Sequence, residues 1–139
     1  DLGIPLVAKI NAMMPFEAAL RIQDHRACDA ICVSNTIPFG QMAHKIDWQS
    51  LWGKEKSPLS KFGGGGLSGA PLFSLVYEWI REARKRGFHK PIVGCGGIMR
   101  GRDACRMLDA GADAIQIGSV SILRPWRVQS IITQVNRHA

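Results

Sequence analysis

Short, nearly unbroken apolar runs alternate along the chain with longer segments whose apolar residues recur every three or four positions. The first pattern belongs to strands and the second to helices. IPLVAKI at 4–10 is apolar apart from Lys9 and its proline, as in a strand covered on both faces. Pro15 then suits a first helical turn, and Phe16, Ala19, Leu20 and Ile22 carry an apolar stripe to about residue 27. DAICVSNT at 29–36 predicts a second buried strand with polar groups at its C-terminal end. The helix after Pro71 is the clearest, with Leu72, Leu75, Val76, Trp79, Ile80 and Ala83 on one face and Gly87 as its stop. On its wet side Glu82 and Arg86 stand four apart in the favourable order. PIVGCGG from 91 predicts the third strand, and a helix over 102–110 follows, with Gly111 suited to a left-handed cap. ADAIQIGS from 112 predicts the fourth strand, and the last helix, over 125–137, gathers Val128, Ile131, Ile132 and Val135.

Residues 37–62 break this rhythm and form a loop insertion longer than an ordinary strand-to-helix connection. Within it Asp47 can cap a short helical turn bearing Trp48, Leu51 and Trp52, while Gly53 and Pro58 interrupt regular structure.

The predicted fold is α/β, with four consecutive βα units. Parallel neighbours need crossover connections, and those are right-handed. Four units make half of a TIM (β/α)8 barrel, whose usual length of about 250 residues is close to twice that of this chain. The expectation for 1–139 is therefore a single partial domain, with an open doubly wound sheet as the competing architecture. Half a barrel leaves two unpaired strand edges, so the chain is expected to be a piece of a longer polypeptide, or to meet a complementary half-barrel or a second copy.

Composition narrows the class. Fifteen Gly and seven Pro are too many for a helical bundle. The formal charge of +7 suits a nucleic acid, a membrane surface or a phosphorylated small ligand. The basic residues are scattered, however, and the densest group, Arg81, Arg84, Lys85 and Arg86, is interleaved with Glu78 and Glu82 as on a solvated helix face. No nucleic-acid partner is expected. No run approaches the apolar length of a membrane span, and the first residues lack the order of a signal peptide, so the expected location is cytoplasmic. Cys28, Cys32, Cys95 and Cys105 form no CxxC pair and have no well-spaced histidine, which predicts no metal and four reduced thiols packed as small apolar groups.

In parallel βα folds ligands sit beyond the C-terminal strand ends. Strand three ends in Gly94, Cys95, Gly96 and Gly97, and strand four in Gly118 and Ser119. Bare backbone there lets a phosphate approach N–H donors. Gly63–Gly66, followed by Leu67, Ser68 and Gly69, is a second backbone-rich segment expected to approach a flat ligand. Lys9 on an apolar strand needs an anion, either a reduced flavin, negative near N1, or a carboxylate of the barrel. Ser34, Asn35 and Thr36 bring donors and acceptors to the second strand end, and an Asn amide can pair with the carbonyls and N–H groups of a pyrimidine ring.

Taken in order, these motifs resemble the C-terminal half of dihydroorotate dehydrogenase, an FMN-dependent αβ barrel, over nearly the whole chain. PLVAKI resembles the strand with the flavin-contacting lysine, which implies that role for Lys9. VSNT is similar to the segment that holds orotate, implying Asn35 and Thr36 as substrate contacts and Ser34 as a flavin neighbour. GGGGLSG resembles the discriminating GGLSG motif and implies that Ser68 and Gly69 lie on the FMN side. IVGCGGI and IQIGS resemble the two phosphate-binding turns, implicating Gly96, Gly97, Gly118 and Ser119. The resemblance implies FMN as cofactor and oxidation of dihydroorotate to orotate in pyrimidine synthesis, this chain being the flavin-binding part. Other outcomes consistent with the residues are a flavoenzyme for another dihydropyrimidine and a noncatalytic phosphate-binding or assembly half-barrel. The family's general base is a Cys or Ser on a loop of the barrel's first half, and none of the four cysteines matches that motif. No catalytic base is assigned, and one is expected upstream.

Overall fold

The computed structural model describes residues 3–53 and 56–138. Its frame is a parallel sheet of β1 (Val7–Ile10), β2 (Ala30–Val33), and two later strands, with α1 (Phe16–Asp24) in the first crossover. The 37–62 insertion opens with β3 (Ile37–Pro38) and holds α2 (Trp48–Trp52). It returns through β4 (Gly66–Leu67), which pairs antiparallel with β3. Lys54 and Glu55 of the insertion lie outside the described residues. The long α3 (Phe73–Lys85) leads to β5 (Ile92–Cys95), α4 (Gly101–Asp109), β6 (Ala114–Gln116), the short α5 (Ser119–Leu123) and α6 (Val128–His138). The main sheet runs in the order β1-β2-β5-β6, every pair parallel, as four successive βα units require.

Side chains alternate across this sheet. Ile10, Ile31, Val33 and Ile92 face the helices and are buried, joined by Val76, Ile80, Met107 and Val120 in the core. Lys9, Cys32, Cys95 and Gln116 lie on the opposite, concave face. The stripe predicted on α3 is buried as the period demands, from Leu75 through Ala83, and Trp79 stacks on Phe16 of α1 at 5.3 Å between ring centres.

Three expectations need correction. The run 4–10 does not make a strand covered on both faces: only Val7–Ile10 is strand, and Val7, two residues from Lys9 and so on the same concave face away from the helices, is 52% exposed. Arg84 is not part of a solvated face. Its guanidinium bonds the carbonyls of Gly111, Phe88 and Lys90 and pairs with Asp113 at 2.5 Å, tying the end of α3 to the starts of β5 and β6. Ile132 of the final helix is 44% exposed while Ile131 is buried, so the apolar stripe of α6 is only partly covered.

Inside the insertion the predicted cap is present: the Asp47 carboxylate accepts from the Ser50 N–H at 2.9 Å, and Gly53 ends α2 in the left-handed region. Trp48 packs against Phe39 and Trp52. The antiparallel β3–β4 ribbon that closes the insertion gave no signal in the sequence, since two residues a side carry no periodicity.

Candidate functional site

The ten candidate residues line one hollow at the C-terminal ends of the strands. Lys9, Ser34, Asn35, Thr36, Ser68, Gly69, Gly96, Gly97, Gly118 and Ser119 surround about 170 Å³, together with Cys95 and Gln116. This is smaller than the roughly 300–1,000 Å³ of a complete small-molecule site. The larger groove of about 860 Å³ between α1 and α3 contains none of them.

Each residue arrives by a local cause. The Ser34 hydroxyl is buried and donates to the Asn35 carbonyl. The Asn35 side-chain oxygen accepts from the Thr36 N–H at 2.8 Å, which fixes its amide plane. Among the described residues its amide nitrogen carries no hydrogen bond, so it is a donor ready for a ring carbonyl. Asn11, absent from the sequence-based expectations, braces this segment: its amide donates to the Thr36 carbonyl at 2.6 Å and its oxygen caps Met13. It stands just past β1, where a strand-end polar residue was the available signal.

The glycines divide into two kinds. Gly97 has φ +71°, and a Cβ there would lie 2.3 Å from the backbone nitrogen of Phe73, so its bareness is needed for packing against α3. A Cβ on Gly118 would meet nothing within 4 Å, so its bare backbone borders open space. Gly69 abuts Ser119, which joins the glycine-rich loop to the last turn. The helix that follows Gly118, α5, is five residues long and adds little dipole. Gly64, Gly65 and Gly66 do not reach this hollow. They border a smaller cavity with Phe39, Trp48 and Trp52, because the chain turns there to pair β4 with β3. The expectation that the tetraglycine approaches a flat ligand is thus corrected, with only Ser68 and Gly69 facing the site.

Among the described residues Lys9 meets no carboxylate. Its three ammonium protons go to Gln116 Oε1 at 2.7 Å and to the sulfurs of Cys32 and Cys95, each at 3.5 Å. Cys28 is buried as the apolar filler the sequence predicts, whereas Cys32 and Cys95 take part in this polar cluster. The Cys95 thiol is drawn down to about 6, first by the hydrogen bond from Cys32 and then by the Lys9 charge, against the opposing effect of burial. Cys32 is pushed up by its bond to Cys95 and by burial. Burial alone would lower the Lys9 value, but the two sulfurs outweigh it and hold the ammonium above its ordinary range. Lys9 lies at the same 3.5 Å from both sulfurs, and the hydrogen bond between the two thiols moves their values in opposite directions.

A curved parallel βα sheet with paired glycine turns and a lysine at its strand ends defines a partial βα barrel, here represented by four strands. The family model for dihydroorotate dehydrogenase matches residues 2–138, and the chain belongs to that family. It is 36% identical over 128 residues to the catalytic subunit of dihydroorotate dehydrogenase B (NAD(+)) from Caldicellulosiruptor saccharolyticus, covering 91% of this chain and 39% of that protein. It is 36% identical over 145 residues to dihydroorotate dehydrogenase (quinone) from Halorhodospira halophila, covering 100% and 39%. A crystal structure of DHODH from Eimeria tenella in complex with ferulenol superposes with a TM-score of 0.68 at 26% identity, covering 94% of this chain and 33% of that one. The chain thus spans about two fifths of the length of the curated relatives it matches. Among the described residues no helix is long and apolar enough to cross a membrane.

Proposed function

We propose that this chain is the cofactor-binding part of an FMN-dependent oxidoreductase that converts dihydroorotate to orotate in pyrimidine synthesis. The observation that carries this reading is the convergence of Lys9, Asn35, Ser68, Gly97 and Gly118 on one hollow.

The residues fit the group. Gly96, Gly97, Gly118 and Ser119 would hold the phosphate on backbone N–H groups, with Gly118 leaving the space a side chain would fill. Ser68 and Gly69 would border the same cofactor, and Ser34 would keep the Asn35 carbonyl turned away from it. FMN, when bound, supplies the hydride acceptor. Lys9 would supply a positive charge to a ring system that gains negative charge on reduction, and Asn35 with Thr36 would orient the pyrimidine by its carbonyl and N–H edge. No residue of this chain is assigned as the base that would take the substrate's proton.

The relatives' names carry different acceptors, NAD(+) and quinone, so the proposal concerns the dihydroorotate half-reaction. The test is the flavin spectrum of the purified full-length protein and its anaerobic bleaching. Retained FMN reduced by dihydroorotate and not by dihydrouracil supports the reading. Reduction by dihydrouracil instead assigns another dihydropyrimidine. A protein that binds phosphate but no flavin sinks the enzymatic reading in favour of a binding or assembly half-barrel.

A further inference from the structure

The groove of about 860 Å³ between α1 and α3 lies on the helix side of the sheet and takes no part in the flavin reading. Its size is that of a complete small-molecule site, roughly 300–1,000 Å³. α1 joins β1 to β2 and α3 leads into β5, so the groove overlies β2, whose two neighbours in the sheet are both present. Strands that complete a barrel would join beyond β1 and β6, to either side of it.

The floor of the groove is apolar. Leu75 and Trp79 are buried beneath it, and Met14, Phe16 and Met42 are half-buried along it. The indole N–H of Trp79 is spent on the Met14 carbonyl at 3.0 Å, so the floor offers no free donor there. Met42 is held in the left-handed region at φ +53°, unusual for a long side chain, by a turn in which its carbonyl accepts the N–H groups of Lys45 and Ile46. That turn belongs to the 37–62 insertion and sets Met42, His44 and Lys45 along the groove. Methionine is an adaptable filler that moulds itself to chains of varied shape.

The rim decides the charge of the occupant. Lys45 is taken by Glu78 at 3.3 Å, and Glu82 by Arg86 at 2.9 Å. Among the described residues Arg81 and His44 line the groove without a hydrogen bond or ion pair. A free guanidinium presents a planar fork that fits a carboxylate. Glu78 and Glu82 border the same groove, so a doubly charged phosphate head would be repelled more strongly than a singly charged carboxylate.

We propose that this groove is a binding site for amphipathic carboxylates, the apolar chain lying over Trp79 and the methionines and the head group held by Arg81, with His44 as a second donor. The site is separate from the strand-end hollow and independent of the flavin reading.

The test titrates the purified full-length protein with octanoate by calorimetry. Octanoate should bind, while butyrate, which keeps the head and shortens the chain, and octanol, which keeps the chain and loses the charge, should each bind at least about tenfold more weakly. Arg81→Gln should weaken octanoate about tenfold, the loss expected for one charge-assisted pair. Met13→Glu, at an exposed position on the groove wall, should weaken it similarly by setting a like charge beside the chain. Lys85→Gln, on the same helix but outside the groove, should leave the affinity unchanged, with circular dichroism confirming that all three variants fold. No binding of octanoate, equal affinity for octanol, or equal losses in Arg81→Gln and Lys85→Gln overturns the proposal.

Discussion

Lys9 and Gln116 meet across the full width of the sheet. They sit on its two edge strands, β1 and β6, yet Nζ lies 2.7 Å from Oε1. On a flat sheet three strand spacings, about 14 Å, would separate their backbones. The contact therefore measures curvature: the sheet curls until its edges' side chains touch over the concave face, as a closing barrel requires. The same curl brings the strand-end turns around one hollow.

Lys9 is held by three acceptors from three different strands, so its charge is positioned before any ligand arrives. Replacing it with alanine should slow flavin reduction by dihydroorotate about 10–100-fold while weakening FMN binding by less than about fivefold, since a fixed charge acts mainly where charge develops. Stopped-flow reduction and a flavin titration separate the two. Equal losses in both would remove the assigned role.

Gly97 and Gly118 should part company. Alanine at Gly97 would overlap the Phe73 backbone and occupy φ +71°, a cost of about 2–4 kcal/mol in urea unfolding. Alanine at Gly118 meets no protein atom within 4 Å, so stability should hold while FMN binding falls, as read by flavin retention on a desalting column. A Gly118→Ala protein that keeps its flavin with unchanged affinity would show that this turn does not hold the phosphate.

The order of strands and helices was legible because buried faces impose their periods on the chain, and Leu75 to Ala83 on α3 obeys the rule closely. Lys9, Asn35 and Gly97 were legible because strand ends and turns have their own residue types. Gln116 and Cys95 were not: their importance depends on β6 curling back toward β1, which no local spacing encodes. An apolar strand with one open face also reads like one covered on both, as Val7 demonstrates, because a run of apolar residues does not say what lies over each face. The glycine run announced a turn without its destination, so Gly64 to Gly66 went to the tryptophans instead of the ligand hollow.

Arg84 presents a structural test remote from that hollow. Its guanidinium satisfies three carbonyls and the Asp113 carboxylate, and that carboxylate also accepts from the Ile92 N–H at 2.8 Å. Arg84→Ala should cost about 2–4 kcal/mol, because several acceptors lose their donors together. Arg84→Lys should recover little, lacking the planar fork that reaches them simultaneously. Urea midpoints of the two variants measure the difference, and a lysine protein as stable as the parent would refute the fork argument.

Cys95 should also write itself into the stability profile. Its folded value of about 6 lies below the roughly 8.5 of an unfolded thiol, so between these pH values the unfolded chain binds the extra proton. Stability should therefore rise with pH across this window, being fully present above about 8.5 and lost as pH falls through 6. Cys32, whose value is raised, works the other way and takes stability back once pH exceeds the ordinary thiol range. Lys9 is raised as well, and its contribution is present below the ordinary lysine value and lost only above its folded one, so it leaves the window untouched. Unfolding midpoints at pH 6, 7.25 and 8.5 should climb for the parent, and Cys95→Ser should remove that climb. An identical climb in both proteins would mean that the charge beside Lys9 resides elsewhere.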